Sequence, residues 1–191
     1  SVQNLIKEGV PKEDIYFVGN IMIDTMESNR TKAENLDVIN IIKENQIEGQ
    51  VIEGVNNDFA LMTMHRPSNV DEQQTLEPII RFILDEVSQD MPLIWPIHPR
   101  TQKQLQIFGL LQEALVNGKI ILLHPLGYHN MLKLNMEAKI MFTDSGGLQE
   151  ECTILGTPCL TLRWNTERPI TLKAYGGASV LVGNSVYRIR K

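Results

Sequence analysis

The sequence predicts a doubly wound α/β fold around a mostly parallel sheet, and two patterns support this prediction. Short apolar runs alternate with longer amphipathic stretches, which is the order expected of strands and crossover helices. The apolar runs are also continuous rather than alternating in polarity, as in parallel strands that are covered on both faces. At 191 residues, the chain is long enough to enclose a core of its own.

The elements can be assigned in chain order, because most apolar runs are followed by an amphipathic segment. We expect strands at residues 15–18, 59–64, 93–97, 120–123, 140–143, 159–162 and 179–182. We expect helices between them, at residues 21–45, 72–88, 102–116, 128–138, 148–155 and 167–174.

Composition limits the classes of function. Hydrophobic residues make up 42% and charged residues 21%, as in ordinary globular proteins, and a net charge of −5 offers no broad surface for nucleic acid. The apolar runs fall far short of the roughly 20 residues of a membrane helix, and Ser1–Asn4 lacks the pattern of a secretion signal. Cys152 and Cys159 do not form a Cys-x-x-Cys pair, so we expect reduced thiols in a cytoplasmic protein without nucleic-acid or membrane partners.

Polar residues suited to binding or catalysis follow the predicted strands. Open parallel sheets bind ligands beyond the carboxyl ends of their strands. Any one of these positions is explained equally well as an ordinary strand end, but the convergence of five strand ends favours a site. The residues concerned are His65 and Arg66, His98 to Arg100, His124, Asp144 to Gly147, and Arg163.

Residues 143–151 carry the most information. They run from a strand into a helix with Gly146 and Gly147 at the helix start, where free N–H groups favour an anion such as phosphate. Ser145 would either cap the helix or bond a phosphate oxygen. The segment is neither Gly-x-Gly-x-x-Gly nor a P-loop, which argues against hydride transfer and ATP hydrolysis.

Helical geometry separates the two carboxylates that follow the glycines. At about 100° per residue, Glu150 points away from the apolar face and is expected in solvent, whereas Glu151 lies beside that face. One turn below a phosphate site, Glu151 would reach ribose hydroxyls.

Metal and hydrolase chemistry find little support in the motifs. The chain contains neither His-Glu-x-x-His nor Gly-x-Ser-x-Gly, so we expect no metal and no cofactor. A structural role for His129 is as plausible as a contact with a ligand.

Taken together, the chain resembles the C-terminal half of the non-hydrolysing UDP-N-acetylglucosamine 2-epimerases. The Asp-Ser-Gly-Gly-x-Gln-Glu-Glu block with Thr-Glu-Arg-Pro about 20 residues later is highly specific, and the resemblance covers almost the whole chain. At Pro67, Ser68, Trp164 and Asn165 the sequence departs from bacterial members and is similar to archaeal ones, which leaves activation by a second UDP-sugar open. The matching residues are 17–20, 23–24, 65–66, 69, 98–99, 125–126, 128–130, 143–151, 155–156, 163 and 166–169.

The resemblance implies one Rossmann-like domain over residues 1–191, forming half of a GT-B architecture with the nucleotide sugar in the cleft between two domains. Ser145, Gly146 and Gly147 would hold the diphosphate, and Glu151 would hold the ribose. The segment around Tyr128 would meet the uracil. His65 would lie at the reacting sugar as the catalytic residue. The remaining expected substrate contacts are Arg66, His98, Arg163, Thr166, Glu167 and Arg168.

The reaction that the resemblance implies is elimination of UDP followed by re-addition, which interconverts UDP-N-acetylglucosamine and UDP-N-acetylmannosamine. The acid and base carboxylates would come chiefly from an N-terminal domain that this chain lacks. We therefore expect the chain to be inactive by itself and the full-length enzyme to be a homodimer. A GT-B glycosyltransferase donor domain, a hydrolysing epimerase and a non-catalytic UDP-sugar-binding module remain alternatives.

Overall fold

A parallel sheet forms the centre of the molecule. The computed structural model describes residues 2–50, 52 and 58–191. Over these residues it contains a six-stranded, all-parallel sheet in the order β3-β2-β1-β4-β5-β6. The predicted α/β class and parallel sheet are therefore confirmed. The strands are β1 (Ala60–Thr63), β2 (Leu93–Pro96), β3 (Ile120–Leu123), β4 (Ile140–Thr143), β5 (Cys159–Thr161) and β6 (Ser179–Leu181).

The strand order reverses direction at β1, which pairs with β2 on one side and β4 on the other. Such a reversal is the switch point at which open α/β sheets bind ligands. The register places Thr63 beside Thr143, so both strands end at the same level and their hydroxyl oxygens lie 2.8 Å apart. The residues that follow these two strands are thereby brought together.

Helices cover both faces of the sheet. On one face Met62, Trp95 and Leu122 belong to one buried cluster, and on the other face their sequence neighbours belong to a second. This double burial explains why the strand sequences are continuously apolar. The helices are α1 (Val2–Lys7), α2 (Ile21–Glu34), α3 (Val38–Asn45), α4 (Pro67–Val70), α5 (Gln73–Phe82), α6 (Ser88–Asp90), α7 (Pro99–Ile107), α8 (Leu111–Val116), α9 (Tyr128–Glu137), α10 (Gly146–Leu155) and α11 (Val186–Ile189).

Some predicted helices are interrupted. The segment 21–45 divides because Asp37 caps α3, its carboxylate accepting from the Asn40 N–H at 2.8 Å. The segment 102–116 divides at Gly109, whose φ of +73° ends α7. A π turn at Ile83–Val87 joins α5 to α6. The segment 167–174 contains two 3-10 turns, Pro169–Thr171 and Lys173–Tyr175, instead of a helix.

The predicted strand at residues 15–18 is wrong. The segment follows a 3-10 turn at Lys12–Asp14 and pairs with no strand among the described residues. Its central side chains, Tyr16, Phe17 and Val18, are between 79% and 89% exposed. An apolar, β-prone run does not form a strand without a hydrogen-bonding partner. None of the described helices has the length and apolar character of a membrane span.

Candidate functional site

The ends of β1 and β4 meet around the carboxylate of Asp144, which is fully buried. This carboxylate accepts hydrogen bonds from the backbone N–H of His65 at 3.0 Å and from that of Arg66 at 2.8 Å. The amide of Asn69 donates to it as well, at 3.1 Å, and also to the carbonyl of Leu162 at 2.9 Å. Asp144 thus joins the loops that follow β1 and β4.

Asp144 also determines the state of the His65 ring, whose Nδ1 lies 3.0 Å from Oδ1. This hydrogen bond raises the pKa of His65 above its ordinary value, against the opposing effect of partial burial. Burial disfavours the Asp144 carboxylate, but its bonds from His65 and Arg66 prevail and lower its pKa. Because a carboxylate only accepts, Nδ1 carries the proton, and Nε2 is left for a ligand.

Sequence reasoning placed Asp144 in the anion-binding segment and missed its role as the partner of His65. The pairing depends on the parallel register of strands that are 80 positions apart in sequence at the Thr63 and Thr143 pair. The local sequence motif does not specify that register. Asn69 belongs to the sequence motif, and in the structure its amide holds the Asp144 carboxylate in position.

His65 and His98 line one cavity of about 260 Å3, which we call the histidine cavity. Their ring centroids are 5.5 Å apart. His98 precedes α7, and its Nδ1 accepts from the Arg100 N–H at 3.1 Å, so its ring is fixed by a helix start. Ser145 and Leu126 line the same cavity. The structure therefore brings these three predicted site residues, His65, His98 and Ser145, to one place.

The start of α10 has free hydrogen-bonding capacity. Within the described residues, the Ser145 side chain makes no capping bond to the helix, although Ser145 occupies the cap position. The backbone N–H of Ser145 donates to the Thr143 hydroxyl at 3.0 Å. Capping is therefore not what this hydroxyl does here. Gly146 and Gly147 form the first turn, where N–H groups and the helix dipole favour an anion.

Arg168 lies directly over Gly146. A Cβ atom built on Gly146 would lie 3.0 Å from Cζ of Arg168 and 3.0 Å from Oε1 of Glu167, with the guanidinium nitrogen Nη1 closer still. Glycine is therefore required for this approach. The same addition at Gly147 would make only ordinary contacts, with the nearest atom 3.9 Å away.

Two carboxylates hold this arginine. Glu167 pairs with Nη1 of Arg168 and accepts from Nη2 of Arg163 at 2.6 Å. The bond from Arg163, together with the charges of both arginines, lowers the pKa of Glu167 to about 2. Glu150 pairs with Nε of Arg168 at 3.1 Å and accepts from the Asn20 amide at 3.0 Å.

The expectation that Glu150 projects into solvent is therefore wrong. Its side chain is only 15% exposed, because Arg168 and the start of α2 cover the helix face that geometry assigned to water. Thr166 completes this side of the site: its hydroxyl donates to the buried Gln149 side chain at 2.9 Å and accepts from the Arg168 N–H at 3.1 Å. Thr166, Glu167 and Arg168 line a larger cavity of about 670 Å3.

Glu151 lies on another side of α10, buried against α9, as its helical position indicated. Burial raises its pKa, partly offset by hydrogen bonding with Asn135 and Tyr128. Burial and the nearby Glu151 charge raise the pKa of Tyr128 in turn. Tyr128 opens α9 and is exposed to solvent, whereas its partner Glu151 is buried.

The other residues singled out in the sequence have structural roles. His129 bonds the Asn29 side chain through Nε2 at 2.8 Å, which ties α9 to α2. Cys152 and Cys159 are free, buried thiols, as expected. Among the described residues, no group of three or more His, Cys, Asp or Glu side chains is arranged to hold a metal ion.

Comparison with known proteins matches residues 1–191 to the family model described as UDP-N-acetylglucosamine 2-epimerase. The chain is 37% identical over 189 residues to the UDP-N-acetylglucosamine 2-epimerase of Methanocaldococcus jannaschii, covering 98% of this chain and 49% of that protein. It is also 37% identical over 188 residues to that of Methanococcus maripaludis, covering 96% of this chain and 48% of the relative. The chain thus spans about half the length of these curated relatives.

The crystal structure of the Methanocaldococcus jannaschii enzyme in complex with UDP-GlcNAc and UDP superimposes with a TM-score of 0.81 at 38% identity. The superposition covers 98% of this chain and 49% of that one.

Proposed function

The chain belongs to the UDP-N-acetylglucosamine 2-epimerase family, and we propose that it forms the UDP-binding half of an enzyme that interconverts UDP-N-acetylglucosamine and UDP-N-acetylmannosamine. This chain would be the second Rossmann-like domain of a GT-B pair. The activity belongs to the complete enzyme. The N-terminal domain would close the cleft over the sugar and supply the remaining acid and base groups.

The observation that carries this proposal is the meeting of His65 and the start of α10 at the switch point of the sheet. The Ser145 hydroxyl and the N–H groups of Gly146 and Gly147 would hold the diphosphate. Glu151 would accept from the ribose hydroxyls, with Tyr128 beside the base. Arg66, His98, Arg163, Thr166, Glu167 and Arg168 would border the phosphates and sugar.

In the reaction, the helix N–H groups and the arginines would stabilise the charge of departing UDP, since donors fixed in place favour developing negative charge. His65 presents Nε2 to the histidine cavity, with Asp144 holding its orientation. It would donate or accept a proton at the sugar, while the partner base for carbon 2 would come from the N-terminal domain.

Calorimetry with UDP and uridine tests the nucleotide site. We expect UDP to bind, but weakly, because the opposing wall of the cleft belongs to the other domain. Uridine should bind clearly less well, since the start of α10 would contact only the diphosphate. Equal affinity for UDP and uridine would remove residues 144–147 from the proposal.

We further propose that the full-length enzyme is a cytoplasmic homodimer. The buried, free Cys152 and Cys159 are compatible with a reducing compartment. Sedimentation equilibrium of the full-length enzyme tests the dimer.

A further inference from the structure

A second polar cavity lies beside the nucleotide site, between the loops that follow β1, β5 and β6. Its volume is about 260 Å3, and we call it the arginine cavity. Neither Ser145, Gly146 nor Gly147 lines it, so it is separate from the start of α10. Its polar and aromatic lining comprises Arg66, Ser68, Arg163, Trp164, Asn165 and Asn184, together with Asn69.

Arg163 gives this cavity its chemical character. Its side chain is only 10% exposed, and Nη2 donates to Glu167. The other terminal nitrogen, Nη1, is buried, and no atom of the described residues accepts a hydrogen bond from it. A buried, charged donor without an acceptor is rare in folded proteins and indicates a missing partner.

The rest of the lining favours a negative partner. Arg66 borders the same cavity, anchored by a bond from Nε to the Asp144 carbonyl at 2.9 Å. Ser68, Asn165 and Asn184 are neutral hydrogen-bonding groups, and the described lining contains no carboxylate. Two guanidinium groups in one small cavity match the geometry of a planar or tetrahedral oxyanion.

The aromatic wall of the cavity is the partly exposed ring of Trp164, which packs against Gly183 and Arg188. A Cβ atom on Gly183, which has a φ of +63°, would lie 2.6 Å from the Trp164 ring, so glycine is required there. Arg188 lies over the same ring, with Cζ 5.1 Å from its centroid. An accessible aromatic ring beside polar groups is suited to packing against the carbon atoms of a small ligand while the arginines hold its charged end.

We propose that the arginine cavity, on the side where Arg66 and Arg163 would border the sugar, binds a small oxyanion, a carboxylate or phosphate group, outside the diphosphate position at the start of α10. The group is either a free anion or an acidic substituent carried by a ligand in the neighbouring site. The case of an acidic group on the sugar rests on the proposed function. Both sources present the same oxyanion to the arginines. Only binding of the acidic substituent depends on the nucleotide that carries it.

The fluorescence of Trp164 offers a direct test. The chain has two tryptophans, and the other, Trp95, is fully buried in the core. Titration with inorganic phosphate at constant ionic strength should therefore give a saturable change that reports Trp164. We expect Asn184→Asp to weaken phosphate binding at least tenfold, because the nearly isosteric carboxylate competes for the arginines. Asn165→Asp should have the same effect from an exposed position.

Two controls locate the anion. Asn35→Asp adds the same charge at the exposed C-terminal end of α2, and it should leave phosphate binding unchanged. Ser145→Ala removes the hydroxyl at the start of α10, outside the arginine cavity, and should weaken UDP without affecting phosphate at that cavity. If phosphate binding is lost in Ser145→Ala and kept in both cavity variants, the anion lies at α10 and the proposal is wrong. Absence of saturable binding to the native chain would also overturn it.

UDP-glucuronate and UDP-glucose distinguish the sources. A carboxylate carried by the sugar would make UDP-glucuronate bind more tightly than UDP-glucose, and Asn184→Asp would abolish that difference. A free-anion site would bind phosphate equally with and without saturating UDP. Failure of UDP to bind at all would count against the proposed epimerase site but would leave the phosphate titration interpretable.

Discussion

At the scale of single residues, the state of His65 depends on Asp144. Asp144 raises the pKa of His65, so the stability that this pair contributes through His65 is complete below about 6.5, the ordinary pKa of histidine. It is lost as the pH rises through the raised pKa. For Asp144, whose pKa is lowered, the contribution is complete above its ordinary value and is lost as the pH falls through the lowered pKa.

Replacing Asp144 with Asn should therefore lower the pKa of His65 towards its ordinary value. NMR titration of the histidine ring protons measures this, with His65→Ala to assign the resonance. Because the buried carboxylate accepts several hydrogen bonds, we also expect a loss of about 1–3 kcal/mol in unfolding free energy. An unchanged His65 titration in a folded Asp144→Asn chain would contradict the pairing.

The buried carboxylate of Glu151 lowers the stability of the ligand-free protein. Burial raises its pKa, so ionised Glu151 is unfavourable in the folded chain at neutral pH. Glu151→Gln should weaken UDP by about 1–3 kcal/mol, the range for hydrogen bonds to a charged group, while raising the melting temperature of the free chain. UDP affinity of the native chain should also fall as the pH drops through the raised pKa.

The control for this variant follows from the structure. Glu150→Gln is unsuitable because Glu150 pairs with Arg168, whereas Glu44 is an exposed carboxylate on α3. Glu44→Gln should leave UDP affinity and melting temperature unchanged. If 2′,3′-dideoxy-UDP binds the native chain as tightly as UDP, Glu151 does not contact the ribose.

At the scale of elements, the side chains of Arg168 and Glu167 restrict which residues fit in the first turn of α10. Gly146→Ala introduces a Cβ atom into the space of Arg168 and Glu167, whereas Gly147→Ala makes only ordinary contacts. We expect Gly146→Ala to weaken UDP at least tenfold, because Arg168 must move away from its two carboxylates. Calorimetry on both variants checks this.

Gly147→Ala is the matched comparison, and its unfolding free energy should rise by about 0.4–1 kcal/mol, since alanine restricts the unfolded chain. Its loss of UDP affinity should be the smaller of the two. The reverse order of affinities would mean that Arg168 does not constrain Gly146 in solution.

Sequence patterns predicted the elements whose burial can be inferred from their own residues. The runs at 93–97 and 120–123 are buried on both faces, and their continuous apolar character indicated this. The run at 15–18 is also continuously apolar, but a strand requires a neighbouring strand as well, and the apolar pattern does not specify one. The break at Asp37 was visible in principle, because Asp is a good helix cap.

The candidate site was predictable to the extent that it follows strand ends. Parallel strands bring His65, His98 and Ser145 to one edge whatever their exact contacts. The partners of Asp144 and Glu150 were not predictable, because His65, Asn69 and Asn20 are brought to them from distant segments by tertiary packing. A helical projection therefore assigned Glu150 to solvent, where the structure places Arg168 and α2.

At the scale of the whole molecule, we expect no epimerase turnover from this chain by itself. Proton abstraction at carbon 2 and proton return require groups on opposite faces of the sugar. His65, His98 and Glu167 lie on one side of the proposed cleft. Positioning of reacting groups is worth about 7–11 kcal/mol of barrier, so half of a site should fall below detection.

The assay for this expectation is deuterium incorporation at carbon 2 of UDP-N-acetylglucosamine in heavy water, followed by NMR. Adding a separately expressed N-terminal domain should restore a trace of exchange. Steady exchange by the purified 191-residue chain, abolished in His65→Ala, would show that the chain is a complete catalyst.

The reversed strand order also affects the order in which the strands can pair during synthesis. β1 precedes the other strands in sequence but lies inside the sheet, with β2 on one side and β4 on the other. During synthesis, β1, β2 and β3 can associate while one edge of β1 still waits for residues 140–143 to emerge. Closing that edge joins residues 80 positions apart, a non-local step of the kind that slows folding. In the order of synthesis His65 emerges long before Asp144, so a nascent chain that has not reached residue 144 has the histidine but lacks its carboxylate.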